Sequence, residues 1–299
     1  MGKTSIEWAH FSFNPWWGCE KVSPGCQQCY AESDSTRFGH QIWGKQAPRR
    51  FFSDTYWRKP IHWNVEAERL GIRYRVFCAS MADIMEDRTD LYPHRARLWE
   101  LIHATPHLDW LLLTKRPTLY SDFLPAQWVR ESTPHNVWPG FTAEDQEHFD
   151  RRWRAMRHLR STKRWISMEP LLEPIDLEFC HCTGSDVHLY DCPITTGDTV
   201  SWIVFGGESG MNARGCRYSW IRAGIRQCRT CRIAPFVKQL GSCPFDTDPQ
   251  RKIPLRDFKG TDMSEWPPDL RVREFPYFSL EPNTPTQTIS PSLSTQPRL

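Results

Sequence analysis

The sequence predicts an α/β fold, an incomplete parallel βα barrel of six or seven βα units. Short apolar segments alternate along the chain with helical patterns of about ten to sixteen residues, which is the alternation that βαβ units produce. The number of strands is too large for a small module and falls short of the eight in a closed barrel. An open doubly wound sheet is the second interpretation of the same pattern.

The predicted elements begin with an aromatic strand that contains Trp8, Phe11 and Phe13 and ends at Pro15. A short helix is expected to open at Cys29 and Tyr30. Apolar runs predict six further strands at residues 74–80, 108–114, 136–142, 164–168, 200–205 and 234–239. Apolar residues at helical spacing predict helices at residues 65–70, 92–104, 119–128, 144–159 and 220–228.

Four segments depart from this alternation. Pro139 and Gly140 are expected to interrupt the fourth strand, and residues 39–73 are expected to be irregular apart from their one short helix. Residues 176–199 form a polar, cysteine-containing insertion within a single predicted domain, residues 1–275. Residues 276–299 are rich in Pro, Ser, Thr and Gln, which is typical of a disordered tail.

The composition limits the class of partner and the compartment. A net charge of +3 and a pI near 8.3 permit a polyanionic partner without requiring one. The chain has no apolar run of about eighteen residues, so no membrane partner is expected. The first residues do not resemble a secretory signal, so we expect a cytoplasmic protein whose eleven cysteines are reduced thiols or metal ligands.

Three cysteines that follow the first predicted strand form the strongest candidate for a metal site. Cys19, Cys26 and Cys29 lie within eleven residues. Three thiolates at close spacing suit an iron–sulfur cluster with one open iron, whereas four suit a closed zinc site or a fully ligated cluster. The alternative is a zinc knuckle with His10 or His40 as the fourth ligand.

Charged residues and glycines follow the later strands, where the loops of a parallel barrel converge. Lys115, Glu169 and Lys238 are candidates to bind a ligand, and the two lysines, with Arg116, suit a carboxylate or a phosphate. A solvated surface charge is an equally good interpretation of Lys238. Gly206, Gly207 and Glu208 form a Gly-Gly-Glu segment, in which the glycines permit close approach and the carboxylate suits an ammonium or a ribose hydroxyl.

Six further cysteines are candidates for a second metal site. They are Cys180, Cys182, Cys192, Cys216, Cys228 and Cys231. The tight spacing of Cys180 and Cys182, and of Cys228 and Cys231, suits zinc or an auxiliary iron–sulfur cluster. The alternative is a set of ordinary buried thiols, which are common in protein cores.

With three cysteines after the first strand of a partial βα barrel, the chain resembles the radical S-adenosylmethionine (SAM) enzymes. More closely, it resembles an uncharacterised bacteriophage-associated family, a domain of unknown function. The matching segments are IEWAHFSFNPWWGC, VSPGCQQCYAE, LLLTKRP, SMEPLLEP, VFGGESG and FVKQLG, which span residues 6–241. The chain departs from the radical SAM pattern in two ways, since six residues rather than three separate Cys19 from Cys26, and Gln28 occupies a usually aromatic position.

The resemblance implies that Cys19, Cys26 and Cys29 hold a [4Fe–4S] cluster whose open iron binds SAM. An electron donor would then drive reductive cleavage of SAM and hydrogen abstraction from an unknown substrate, for which a nucleic acid or a nucleotide is a candidate. In the radical SAM family a Gly-Gly-Glu segment follows an early strand. Here it follows a late one, so its role is not carried over to Glu208.

A second functional class remains open, a zinc-dependent nucleic-acid-binding or accessory phage protein without SAM chemistry. It would use the segment 43–63, which is rich in aromatic and basic residues and includes Arg49 and Arg50, to contact a nucleic-acid backbone and stack on bases. The alternative for this segment is a wrap that covers the surface of the barrel.

Overall fold

The computed structural model describes residues 4–177 and 200–276, and these residues form a curled parallel half-barrel with helices. The strands are β1 (Phe11–Ser12), β2 (Tyr74–Cys78), β3 (Leu108–Thr114), β4 (Val137–Thr142), β5 (Arg164–Met168), β6 (Val200–Gly206), β7 (Cys216–Arg217), β8 (Ala234–Gln239) and β9 (Pro244–Phe245). Seven of them form one sheet in the order β1-β2-β3-β4-β5-β6-β8, and β7 pairs with β9 separately.

The helices lie mainly in the connections between strands. They are α1 (Tyr30–Arg37), α2 (Asp54–Trp57), α3 (Lys59–Leu70), α4 (Tyr92–His103), α5 (Tyr120–Phe123), α6 (Ala126–Arg130), α7 (Gln146–Met156) and α8 (Tyr218–Thr230). Within the described part of the chain, none of these helices is long and apolar enough to cross a membrane.

The order of the strands confirms the incomplete barrel. Every neighbouring pair in the seven-stranded sheet is parallel, and the strands follow one another across the sheet in chain order, with only β7 omitted between β6 and β8. A doubly wound sheet would instead reverse its strand order at a switch point, so that second interpretation is wrong. Among the described residues β1 and β8 do not pair, and the outer edge of β8 instead bridges to Arg273.

Most elements lie where the sequence predicts them, and β3, β5 and β8 have the predicted bounds. The single helix predicted at residues 119–128 is wrong, because the chain forms α5 and α6 with a break at Leu124. Pro125 follows Leu124 and pushes it into an extended conformation, with ψ of 153°. Residues 39–73 are also more helical than expected, since they contain both α2 and α3.

The fourth strand is continuous, contrary to the predicted interruption. Pro139 pairs with Leu112 of β3, and pairing with β5 begins only at Gly140. A side chain at Gly140 would place its Cβ 2.3 Å from the Trp165 indole nitrogen. Gly140 therefore allows the Trp165 ring to pack directly against β4.

Alternation along the strands divides the apolar residues into two clusters. An outer cluster fills the space between the sheet and the helices and includes Val76 and Trp110. An inner cluster occupies the concave face and consists of Trp8, Phe77, Leu111, Trp138, Trp165, Trp202, Val204 and Phe236. Because successive strand residues point to opposite faces, neighbours such as Val76 and Phe77 belong to different clusters.

At Arg49, the segment 43–63 agrees with the interpretation that it covers the surface of the barrel. Arg49 is buried and forms an ion pair with the buried Glu86. Its guanidinium also donates to the carbonyl oxygens of Ile42, at 3.1 Å, and Ala47, at 2.9 Å. Arg49 is therefore not exposed to contact a nucleic-acid phosphate, contrary to the nucleic-acid interpretation.

The predicted insertion and tail can be located only at their ends. Apart from Asp176, Leu177 and Pro276, both segments lie outside the described residues.

We predict that Arg49→Met lowers the free energy of unfolding by about 3–5 kcal/mol, because it leaves Glu86 buried without its cation. Arg50→Met is the matched control. Arg50 is only half-buried and stacks on Trp17 at 4.7 Å, so its loss should cost less than about 1 kcal/mol. Urea unfolding measures both values, and equal losses in the two variants would contradict the prediction.

Candidate functional site

The three predicted cysteines lie in the cysteine loop, residues 18–29, beyond the carboxyl end of β1. A short 3-10 turn, Pro24–Cys26, occupies the middle of the loop, and Cys29 is the N-cap residue that directly precedes α1. All three are half-buried free thiols. They line one cavity of about 610 Å³, the mouth cavity.

The strand ends supply the rest of the wall. Lining residues at or just beyond the carboxyl ends of β3, β4, β5, β6 and β8 include Lys115, Thr142, Ser167, Glu169, Gly207, Glu208 and Lys238. Trp8 and Phe77 of the inner cluster also line the cavity. The structure thus brings together all of the predicted site residues except Gly206, which does not line the cavity but lies beside Glu169.

Two of the predicted ligand-binding residues form an ion pair with each other. Lys238 Nζ lies 2.7 Å from Glu169 Oε1, and both side chains are more than four-fifths buried. The surface interpretation of Lys238 is therefore wrong, because this lysine points into the barrel. Its charge is already balanced by Glu169.

Lys115 differs from Lys238 in its pairing. Its Nζ lies 3.5 Å from the Thr142 hydroxyl, and no carboxylate in residues 4–177 or 200–276 forms an ion pair with it. A half-buried ammonium with no carboxylate in direct ion-pair contact favours an anionic ligand. Lys115 is therefore the cation of the mouth cavity best placed to bind one.

The Gly-Gly-Glu segment contacts groups of the protein. A Cβ at Gly206 would meet the Glu169 side chain at 3.1 Å, and one at Gly207 would meet the Leu240 carbonyl oxygen at 2.2 Å. The Glu208 carboxylate accepts hydrogen bonds from Arg214 Nε at 2.9 Å and Nη2 at 2.6 Å. The close approaches that these glycines permit are thus made by Glu169 and Leu240, and Glu208 already has a cation.

Arg116 connects the third strand to the cysteine loop. Its Nη1 lies 2.8 Å from the buried Asp83 carboxylate and 3.8 Å from Cys19 Sγ, and its Nη2 donates to the Glu20 carbonyl oxygen at 3.2 Å. Burial would raise the pKa of Asp83, but Arg116 and the Thr114 hydroxyl outweigh it and lower that pKa. Asp83 therefore remains charged and fixes the guanidinium beside Cys19.

Burial keeps two of the thiols protonated in the metal-free protein. It raises the pKa of Cys19 to about 12, with Asp83 adding to the effect and Arg116 opposing it. Burial also raises the pKa of Cys29, and Lys115 opposes it. Thiolate ligation of a metal would release these protons, while the two cations would stabilise the resulting charge.

Glu144, two residues beyond the end of β4, fixes the cysteine loop. Its Oε1 accepts the backbone N–H of Gly25 at 3.3 Å, and its Oε2 pairs with Arg152 Nη1 at 2.5 Å. Burial would raise the pKa of Glu144, but Arg152 and Lys115 outweigh it and lower the pKa to about 2. This carboxylate is fully buried and charged at neutral pH.

The two histidines considered as zinc ligands lie away from the cysteines. His10 Nδ1 accepts the backbone N–H of Arg75 at 2.9 Å, beside the start of β1, and His40 packs against Trp17. Neither histidine lines the mouth cavity.

Within the described ranges, the side chains of Glu144, Asp145 and His148 place three possible metal-ligating atoms within 4.8 Å of one another. The Glu144 carboxylate of this group is already paired with Arg152.

The second set of cysteines is only partly visible. Cys216, Cys228 and Cys231 are buried in the outer cluster, and burial raises the pKa of Cys216 to about 12 and also raises that of Cys228. Cys180, Cys182 and Cys192 lie outside the described residues. A second metal site therefore stays a prediction.

Sequence reasoning missed the contacts made by Arg152 and Arg214. Arg152 lies in α7, eight residues after Glu144, and Arg214 follows Glu208 by six residues in a loop. Within the helix predicted at residues 144–159, the eight-residue spacing of Glu144 and Arg152 is about two turns and a weak local signal, whereas Arg214 belongs to no recognisable motif. Its role depends on contacts with Pro24 and Gln27, which are distant in sequence.

Fold and site together define a parallel half-barrel protein with a three-cysteine loop at its mouth. The chain belongs to the DUF5131 family, whose model, described as "Protein of unknown function (DUF5131)", matches residues 3–267. The predicted phage association of that family stays a prediction. No curated protein matches the chain.

Solved structures of spore photoproduct lyase are similar at low sequence identity. A double mutant with bound AdoMet and dinucleoside spore photoproduct has a TM-score of 0.38 and 13% identity, over 54% of this chain and 46% of that one. A complex with the dinucleoside spore photoproduct has a TM-score of 0.37 and 12% identity, over 71% of this chain and 58% of that one. The match thus spans about half the length of those proteins.

We predict that Glu144→Gln destabilises the protein by about 3 kcal/mol at neutral pH, because the charged carboxylate is the form that pairs with Arg152. The pKa of Glu144 is lowered from 4.5 to about 2, so its contribution is complete above pH 4.5 and is lost as the pH falls towards 2. Urea unfolding at neutral and acidic pH should show a smaller acid-dependent loss in the variant. Glu147→Gln, at an exposed position of α7, is the control, and an unchanged acid dependence in Glu144→Gln would contradict the prediction.

Proposed function

We propose that this protein is a radical SAM-like iron–sulfur enzyme that cleaves SAM reductively and abstracts hydrogen from a substrate. The observation that supports this most strongly is that Cys19, Cys26 and Cys29 line one cavity at the carboxyl ends of a parallel half-barrel. Ligand chemistry in such folds takes place at that end, because the loops after the strands converge there. The proposal places the activity in one domain, residues 1–275, since the seven main strands share one sheet.

The residues present fit an iron–sulfur cluster. Three thiols face the cavity, and cationic groups of Arg116 and Lys115 lie near enough to Cys19 and Cys29 to favour their thiolates. A [4Fe–4S] cluster with one iron open to SAM would supply the one-electron cleavage, with the electron delivered by a separate donor. A cytoplasmic setting belongs to the proposal, because it keeps the thiols reduced.

The other residues of the cavity have separate roles in this proposal. Lys115 binds the carboxylate of SAM or another anionic group, because among the described residues it is the half-buried lining cation that forms no ion pair with a carboxylate. The Glu169–Lys238 pair offers one acceptor and one donor for polar groups of a ligand. Trp8 and Phe77 close the apolar end and exclude water from the reacting atoms.

A nucleic acid or a nucleotide is the substrate class that we include, and the net charge of +3 is compatible with it. The alternative, a zinc-dependent nucleic-acid-binding or accessory protein, has less support from the geometry. Arg49 is buried, and neither His10 nor His40 lines the cavity with the cysteines.

We predict that anaerobically reconstituted protein binds about four irons and four sulfides per chain and shows the charge-transfer absorbance of a cluster. Cys26→Ala should lose the cluster and SAM cleavage while the barrel stays folded, because Cys26 is only half-buried and lies outside both apolar clusters. Iron and sulfide analysis, visible absorbance and far-UV circular dichroism measure these outcomes.

Cys243→Ala is the matched control for Cys26→Ala. Cys243 is also a half-buried free thiol, but it does not line the mouth cavity, so its loss should leave the iron content unchanged. Uptake of zinc alone by the wild-type protein, without cluster absorbance, would contradict the proposal. Global unfolding of Cys26→Ala would instead indicate a structural metal.

We further predict that Lys115→Met weakens SAM binding to the reconstituted protein about tenfold or more, the effect of losing one hydrogen bond to a charged group. Equilibrium dialysis under anaerobic conditions measures the dissociation constant. Lys252→Met removes an exposed lysine outside the cavity and should leave the affinity unchanged. Equal affinity in Lys115→Met and the wild type would remove Lys115 from the site.

A further inference from the structure

We propose that Arg214 is a positioning residue that clamps the cysteine loop onto Glu208 and so determines the position of Cys26. This inference rests on the proposed function only in taking Cys26 as a metal ligand. The clamp itself is a property of the polypeptide and can be tested without metal. It also gives the Gly-Gly-Glu segment a role other than contact with a ligand.

Arg214 uses its guanidinium in two directions. Toward the barrel, its Nε and Nη2 form a bidentate pair with the Glu208 carboxylate at 2.9 and 2.6 Å. Toward the cysteine loop, Nη2 also donates to the Pro24 carbonyl oxygen at 2.9 Å, and Nη1 donates to Gln27 Oε1 at 3.2 Å. One side chain therefore joins the end of β6 to a loop about 190 residues earlier in the chain.

The two loop acceptors enclose Cys26. Pro24 begins the 3-10 turn that ends at Cys26, and Gln27 directly follows it. Within the same turn, Glu144 accepts the Gly25 N–H at 3.3 Å. The turn is thus held by a cation through its acceptors and by an anion through a donor, which restricts both its translation and its rotation.

Glu208 is a fixed anchor for this clamp. Its side chain is 4% exposed, and a carboxylate at such a buried position would be costly without the paired arginine. Its carbonyl oxygen accepts the Ser242 N–H at 2.8 Å, and Gly207 packs tightly against the Leu240 carbonyl. The two ordered strand ends β6 and β8 therefore fix Glu208, and Glu208 fixes Arg214.

The test measures the reactivity of individual thiols in the metal-free protein. Arg214→Gln should raise the alkylation rate of Cys26 by iodoacetamide about tenfold or more, the factor that corresponds to one lost hydrogen bond to a charged group. Peptide mass spectrometry reports Cys26 separately from Cys19, which Arg116 holds and whose rate should change little. Glu208→Gln should also raise the alkylation rate of Cys26, because it removes the charged carboxylate that anchors Arg214.

Arg222→Gln is the matched control. Arg222 is 30% exposed, as against 31% for Arg214, and it also pairs with a carboxylate, Asp269, at 2.6 Å. It has no contact with the cysteine loop among its described hydrogen bonds. A general loss of stability from removing a paired arginine would raise Cys26 reactivity in both variants, whereas loss of the clamp raises it only in Arg214→Gln.

Two further variants separate the clamp from simple destabilisation. The double variant Arg214→Gln/Glu208→Gln should react no faster at Cys26 than Arg214→Gln alone, because both changes remove one interaction. Arg214→Lys should recover part of the protection, since an ammonium can reach Glu208 but cannot also hold Pro24 and Gln27 in a planar fork. If Arg214→Gln fails to fold, Arg214→Lys and Glu208→Gln measured against Arg222→Gln give the same comparison.

Failure of the clamp and failure of the proposed function give different results. An unchanged Cys26 rate in Arg214→Gln and Glu208→Gln overturns the clamp, whatever metal the wild type binds. Faster Cys26 alkylation in both variants supports the clamp even if the reconstituted wild type takes up no iron, which would overturn the function alone. If the wild type does bind a cluster, the electron paramagnetic resonance spectrum of Arg214→Gln should shift while that of Arg222→Gln matches the wild type.

Discussion

Charge compensation at the mouth of the barrel is the constraint on which the cysteine loop depends. Three buried carboxylates lie there, Asp83, Glu144 and Glu208, and each pairs with an arginine. A buried carboxylate without such a partner would cost several kcal/mol, so the pairs are required for the fold itself. In each pair a remaining donor or acceptor contacts the loop, at Glu20, Gly25 and Pro24 respectively. The interactions that neutralise the interior therefore also position the thiols.

The pleat of the strands gives the concave face its two regions. Indole and phenyl rings of the inner cluster fill the face toward the amino ends, with Trp8 5.2 Å from Trp165 between ring centroids. Farther along the same strands, Lys115, Thr142, Ser167 and Glu169 line the mouth cavity. Because alternate residues share a face, a single register places the apolar region and the polar region on one surface. A ligand in the cavity would contact apolar rings at one end and charged side chains at the other.

The strands were predictable because their signal is local. Parallel strands are buried on both faces and form continuous apolar runs, and the bounds of β3, β5 and β8 follow directly from such runs. Where the prediction failed, long-range or neighbouring effects prevailed. Pro125 divided a helix whose apolar spacing was correct, and pairing with β3 kept Pro139 inside a strand that its composition argued against. The placement of the three cysteines at the strand ends was predictable from their position after β1, but their partners were not.

By itself, the sequence determined the cysteine spacing, the alternation of strands and helices and the membership of the DUF5131 family, since each depends on residues close together in the chain. Only the tertiary structure decided how the charged residues are used. It showed that Lys238 is neutralised by Glu169 while Lys115 has no described carboxylate partner, and that Glu208 holds Arg214. The glycines of the Gly-Gly-Glu segment indicate that another group approaches the backbone closely, and its glutamate indicates that a cation is bound. The sequence does not show whether the approaching group and the cation belong to a ligand or to the protein. That choice depends on contacts between residues up to 190 positions apart, which no local pattern encodes.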